Sequence, residues 1–547
     1  MAQGDNYQPV YILPEGSNRT QGKDAQRLNI TAARLVAETI RTTLGPKGMD
    51  KMLVDSVGEI TITNDGATIL SEIELEHPSA KMIAEVAKTQ EDEVGDGTTS
   101  AVVFAGELLQ MAEGLLDQKV HPTVIIKGYR IAAEKAKRIL EDIAVPLQIG
   151  DREILKKIAM TSMTGKGAES AKDTLADLTV RAIEEVYPLA EIDNQQTFDV
   201  KNIKVEKKSG GTSTDSTLIK GVLLDKERVH QEMPTNVTDG KVLLVNTPLE
   251  VKETESDMKV SVSDPSKMQE FLDMEEQMIL KMVNRIKELG ATVVFCQKGI
   301  DDLAQYYLAK HGIFALRRVK QSDMERLSKA TGAKVVNVID NATVDDMGYA
   351  GTIQEKVIGD ERMTFVTDCA HPKAVTLLVR GGTSHVVDEI RRAVDDALGD
   401  LGAVLRNRFV VGGAGSVEVE LTRRLREYST TLRGREQLAV EAFARAIEVI
   451  PKTLAENSGL DPIDVLTELK NAHENTQLWS GLDVFSGKLI HAIDTGVIEP
   501  LGIKMQAISC ATDVATMILR IDDVILTSQG SQGNQPQYQQ NPSQFMQ

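Results

Sequence analysis

Gly95-Asp96-Gly97-Thr98-Thr99-Ser100 packs glycines, a carboxylate and three hydroxyls into six residues. Glycines let a backbone come close to a ligand, and hydroxyls donate hydrogen bonds to an anion. Asp96 would repel a bare phosphate. It suits a phosphate that carries a divalent cation, because Mg²⁺ is held by one or two carboxylates plus phosphate oxygens. The same residues also make an ordinary helix cap, and the hexapeptide alone does not choose between the two.

Other stretches have similar chemistry. Leu44-Gly45-Pro46-Lys47-Gly48 stops a helix and exposes backbone. Asn64-Asp65-Gly66 is a turn that opens one. Together with the first stretch they put three glycine turns beside helices, a pattern that points to one shared ligand. Gly412-Gly413-Ala414-Gly415 opens a predicted helix over 416–428, and Thr161 to Gly167 is a polar loop with one lysine, Lys166. Asp395 and Asp396 fall late in a predicted helix over 384–398, where two acids oppose the helix dipole; solvated surface is the usual reason for such a pair. The sequence contains no GxxxxGK[ST], no dinucleotide fingerprint after a strand, and no serine-elbow or Cys/His signature. A nucleotide would have to bind by another scheme.

These turns need helices to hold them. One predicted helix carries Ile30, Ala33, Val36, Ala37, Ile40 and Leu44 on one face, after an irregular arm over 1–25. Helical runs flank the hexapeptide on both sides, through Met82–Val86 and Ala101–Leu116, and another spans 119–143. Residues 224–374 alternate apolar strand-like runs (241–246, 292–296, 313–316, 334–338) with helical ones (266–289, 300–310, 322–331), an α/β layer pattern. The run over 266–289 is rich in Met and follows a charged stretch, 248–265. Its broad stripe reads equally well as a core face or as a surface that accepts many shapes. A last helix is predicted over 506–520, a final strand over 521–526, and a disordered Gln/Asn-rich tail over 528–547.

At 547 residues the chain is too long for one core, and about three domains is the size expectation. Its net charge of −19 argues against a nucleic-acid partner. The three cysteines are far apart and show no disulfide or zinc spacing, which points to a reducing, cytoplasmic setting. No apolar run approaches the roughly 20 residues of a membrane span, so stable membrane insertion is not expected. Glycine-rich turns lie near both ends of the chain and the α/β material lies between, which suggests a helical base built from the two ends with the middle inserted as a separate body.

Leu44 to Lys51, Asn64 to Thr68, Gly95 to Thr99 and Ala393-Val394-Asp395-Asp396-Ala397 resemble, in order and spacing, the motifs of the group II chaperonins, the family of the archaeal thermosome and the eukaryotic cytosolic chaperonin. The resemblance runs from about residue 20 to 527. It implies a multi-domain α+β chaperonin fold in three parts. A mainly helical equatorial ATP-binding domain would take 1–150 and 408–527. A small α/β intermediate hinge domain would take 151–223 and 375–407. An α/β apical substrate-binding domain would take 224–374, with a helical lid protrusion at about 248–285. It further implies an ATP-dependent chaperone and ATPase whose subunits, like or related, stack as a double ring around unfolded or partly folded proteins.

The resemblance also implies roles. Gly45 and Pro46 would contact ATP, Asp96 would ligate Mg²⁺, and Gly97, Thr98, Thr99 and Ser100 would surround the phosphates. Asp65 and Asp396 would position and activate water, and Lys166 would sense the γ-phosphate. Gly413, Ala414 and Gly415 would lie close to the nucleotide, Glu499 near the ribose, and Gly481 and Asp483 near the base. The family usually has three glycines where this chain reads Gly413-Ala414-Gly415; the added methyl is tolerated if φ is negative there and otherwise weakens binding. That departure keeps a second reading open, a divergent ring subunit acting as a client- or membrane-binding scaffold with weak ATPase. A third, an ordinary ATP-dependent enzyme acting on a small molecule, predicts a monomer or dimer.

Overall fold

The computed structural model describes residues 18–147, 150–187, 200–250, 265–369 and 374–526. The Gln/Asn-rich tail, most of the N-terminal arm and most of the charged stretch 248–265 lie outside them. The arm is shorter than expected: Asn18–Gln21 is a strand, and the first helix begins at Gly22 and runs to Arg41. That strand pairs antiparallel with Asp523–Leu526, and Arg19 grips Asp523 at 2.5 Å, so the two ends of the described chain are stitched together.

The apolar side chains gather into distinct bodies. The largest takes Ile30 to Ile143 from the first part of the chain and Val411 to Leu519 from the last. Its helices are amphipathic, and their apolar faces meet around the edge-to-face rings of Phe104, Tyr129 and Phe443. A second body combines Leu147, Leu155 to Val186 and Ile203 with Val375 to Val410 and Ile498, around a three-stranded sheet of Ile203–Ser209, Val375–Gly381 and Thr217–Ile219. The strand Phe409–Gly412 pairs with both Val145–Pro146 and Ile498–Pro500, where these two bodies join.

The middle of the chain builds a seven-stranded mixed sheet. Phe314–Leu316, Val293–Cys296, Asn236–Val245 and the short Val335–Val336 are parallel, whereas Gly348–Ile358, Glu361–Cys369 and Gly221–Leu224 continue it antiparallel. The parallel-paired residues 242–245, Val293–Cys296 and Phe314–Leu316 are apolar because both faces are covered: Leu243 and Val294 point to one core, Val242 and Val293 to the other. The Met-rich helix, Pro265–Leu289, seats Ile279, Val283, Ile286 and Leu289 in one of these cores while Met274 and Met278 stay exposed.

One difference from the sequence reading reshapes the site. The helix expected over 384–398 runs from Ser384 to Asn407, so Asp395 and Asp396 sit in its interior, away from the dipole's negative end. Gly399 does not stop it. A Cβ there would lie 2.7 Å from the Cα of Gly95, so Gly399 permits a backbone-to-backbone approach between this helix and the hexapeptide turn.

Candidate functional site

The helix Thr98–Asp117 begins at the hexapeptide. Its N-cap is Gly97, at φ +80°, and no side chain caps it. Its first N–H groups therefore lack the usual side-chain partner, a ready seat for an anion. Asp96 turns back to accept hydrogen bonds from the Gly97 N–H at 2.7 Å and the Ser162 hydroxyl at 3.1 Å. Asp65 caps the helix Gly66–Glu72 through the Thr68 N–H at 2.7 Å and accepts from the Thr98 hydroxyl at 3.1 Å.

These turns open onto a cavity of about 390 Å³. Gly45, Pro46, Asp65, Asp96, Gly97, Thr98, Thr99, Ser100, Lys166, Ala414, Gly415, Asp483 and Glu499 all line it. Asp396, Gly413 and Gly481 do not, and each acts from behind the wall. Asp396 holds Lys166 at 2.5 Å, and Lys166 lies 3.6 Å from Asp96. A Cβ on Gly413 would run into Glu499, and one on Gly481 into Ala414. Asp395 is exposed and turns toward Arg391 at 3.4 Å.

The electrostatics are lopsided. Asp65, Asp96 and Asp396 all act on Lys166. Burial works against its charge, but Asp396, then Asp96 and Asp65, hold its pKa above the usual lysine value. Burial pushes the Asp396 carboxyl well up, with Lys166 opposing and Asp96 and Asp65 reinforcing. On the other wall Glu499 pairs with Lys504 at 2.5 Å, and Lys504 also holds Glu418 at 2.9 Å. The Asp483 carboxylate is already occupied by its own turn, accepting from the Ser486 hydroxyl at 2.5 Å and the Phe485 N–H at 3.0 Å.

Several lining residues escaped the sequence reading. Asp400 is one, four residues after Asp396; that helical spacing was the available signal, but the predicted helix ended at 398 and left Asp400 outside it. Ile503 and Lys504 are others, because the last helix starts at Leu501 rather than near 506. Leu454, Leu482, Val484, Phe485 and Ile490 give one side of the cavity an apolar lining. Ala414 sits at φ +56°, so the negative φ that would have made its methyl harmless is not there. Ala414 lines the cavity, which holds about 390 Å³ with this residue in place.

Glycine close approaches, an uncapped helix start, several carboxylates and an apolar shelf give this cavity the chemistry to hold a cation-bearing phosphorylated ligand with a flat apolar end. The sequence profile of the TCP-1/cpn60 chaperonin family matches residues 36–529, and this chain belongs to that family. It is similar to the group II members. It is 57% identical over 525 residues to a thermosome subunit of Methanopyrus kandleri, covering 96% of each chain. It is 58% identical over 518 residues to a thermosome subunit beta of Archaeoglobus fulgidus, covering 95% of each. The open-state monomer of a group II chaperonin from Methanococcoides burtonii superimposes with a TM-score of 0.59 at 47% identity, over 78% of this chain and 100% of that one.

Proposed function

We propose that this chain is a subunit of an ATP-dependent, ring-forming group II chaperonin that encloses unfolded or partly folded proteins and closes a built-in lid on ATP hydrolysis. The observation that carries the reading is the cavity itself, lined from both ends of the chain and tied through Lys166 to the helix Ser384–Asn407. In this reading 1–150 with 408–527 is the equatorial ATPase domain, 151–223 with 375–407 the hinge, and 224–374 the apical domain with its protrusion at about 248–285. Partners are like or related subunits in a double ring, and the setting is cytoplasmic; among the described residues no helix is long and apolar enough to cross a membrane.

Mg²⁺–ATP fits the residues present. Gly45 at φ +84° and Gly97 at φ +80° line the pocket where added Cβ atoms would collide with Leu454 and Ile503. When bound, it supplies the phosphoanhydride to be cleaved and the metal charge that offsets it. Asp96 would hold the Mg²⁺, the N–H groups of Thr98, Thr99 and Ser100 and the hydroxyls of Thr99 and Ser100 would bind phosphate oxygens, and Gly97 would turn the backbone toward them. Among the described residues no group of three or more His, Cys, Asp or Glu could hold a metal alone, and Mg²⁺ delivered by phosphate needs only one or two carboxylates. Gly45, Pro46, Gly413, Ala414 and Gly415 shape the pocket, Glu499 serves the ribose, and Gly481 and Asp483 the base side. Asp65, fixed by Thr68 and Thr98, and Asp396, fixed by Lys166, orient water, and a carboxylate oxygen takes its proton. Lys166, shared between two acids, can exchange one of them for a phosphate oxygen, as a γ-phosphate sensor must.

Asp396→Ala should keep ATP binding and lose at least about 100-fold in turnover. Turnover within a few-fold of the parent would remove Asp396 from the chemistry. The scaffold reading rested on Ala414, and the thermosome relatives give it no support.

A further inference from the structure

The helix Ser384–Asn407 presents Asp396 and Asp400 one turn apart on one face. Asp396 is answered by Lys166. Asp400 is not answered. It is 4% exposed, it lines the cavity, and its Oδ1 is buried with no hydrogen-bond partner among the described residues. The charged groups acting on it most strongly are Asp96, Lys166, Asp396 and Glu499. Three are acids, and the one cation is already shared between Asp396 and Asp96. The contact of Gly399 with Gly95 draws this turn of helix against the backbone that carries Asp96. A buried carboxylate without a partner is costly, and a cation reaching the cavity would relieve it.

We propose that Asp400 is a second protein carboxylate, with Asp96, for the divalent cation that enters with the nucleotide phosphates. This rests on the nucleotide reading above. A pair of acids, completed by phosphate oxygens and water, is the donor set Mg²⁺ commonly takes. Asp400 supplies charge without spending a hydrogen-bond donor, and its buried oxygen has no competing protein partner.

The test uses the full chain with ADP, so that no turnover is involved. Asp400→Asn keeps the shape and removes the charge; Asp400→Ala removes both and guards against a misfolded first variant. Thermal unfolding is followed as Mg²⁺ is titrated at fixed ADP, and Mn²⁺ binding to the ADP-loaded protein is read by paramagnetic resonance. Without metal or nucleotide the variants should unfold at or above the parent's temperature, because an unpartnered acid is gone. With ADP, the Mg²⁺ needed for half of the stabilisation should rise at least about ten-fold, and Mn²⁺ affinity should fall alike. Unchanged Mg²⁺ and Mn²⁺ midpoints would overturn the proposal and leave Asp400 as a buried acid with no metal role. A parent protein that shows no Mg²⁺–ADP stabilisation would instead refute the nucleotide reading.

Discussion

Two charge clusters in this molecule are balanced in opposite ways. Around Lys166, Asp65, Asp96 and Asp396 compete for one lysine, and Asp400 adds a further acid with no partner. Around Glu420, only 2% exposed, one carboxylate meets Arg423 at 2.6 Å, Arg424 at 2.6 Å and His473 at 3.0 Å. The other ring nitrogen of His473 contacts the Ser480 carbonyl oxygen at 2.9 Å, so both ring nitrogens are engaged. The second cluster is complete within the protein and pins the strand Ser480–Asp483 to the helix Ser416–Ser429. The first is short of positive charge in a way that a cationic ligand would repair. Saturated charge marks scaffold, and a charge deficit in a cavity marks a site.

Charge removal should therefore act differently in the two places. The largest effect is the loss of turnover in Asp396→Ala with folding intact. Next is Glu420→Gln, which strips the enclosed His473 of its carboxylate. It should destabilise the fold by about 2 kcal/mol or more, the value for breaking a buried pair reduced because both arginines are about a third exposed. Denaturant midpoints would measure it, and an unchanged midpoint would erase the contrast between the clusters.

The same contrast has a pH signature. Burial alone would raise the Glu420 carboxyl, but hydrogen bonds from His473, Arg423 and Arg424 hold it well below the usual glutamate range. A depressed folded-state pKa gives stability that is complete above the unfolded value of about 4.3 and is lost as the pH falls below it. Glu420→Gln should flatten that acid limb. Asp396 and Asp400 carry the opposite sign: burial raises both, so their ionisation disfavours the fold as the pH rises.

The smallest effect belongs to Ala414, whose carbonyl accepts the Leu482 N–H at 2.9 Å and holds the same strand from the other side. Ala414→Gly relieves a left-handed alanine and should add up to about 1 kcal/mol of stability, with turnover within a few-fold of the parent. An order-of-magnitude gain in turnover would revive the scaffold reading.

Much of the site was legible because it is built from turns, and turns announce themselves through Gly, Asp and Thr. The helix starts at Gly97, at Asp65 and after Gly415 fell where the sequence put them. Asp400 was missed because the predicted helix ended at 398, whereas the helix continues past Gly399, which packs against Gly95, to Asn407. The hairpin of Gly348–Ile358 and Glu361–Cys369 was also missed, since its strands are partly exposed and mix charged with apolar residues. The stripe on the Met-rich helix could not be resolved from periodicity, because one end of a stripe can enter a core while Met274 and Met278 remain outside it.

The most direct measurement is a structure of the protein with Mg²⁺ and a non-hydrolysable ATP analogue. The account predicts phosphates at the Gly97–Ser100 helix start, the metal at Asp96, and the base against the apolar shelf of Leu482 to Phe485. An analogue bound elsewhere, or none in this cavity at saturating concentration, would contradict it.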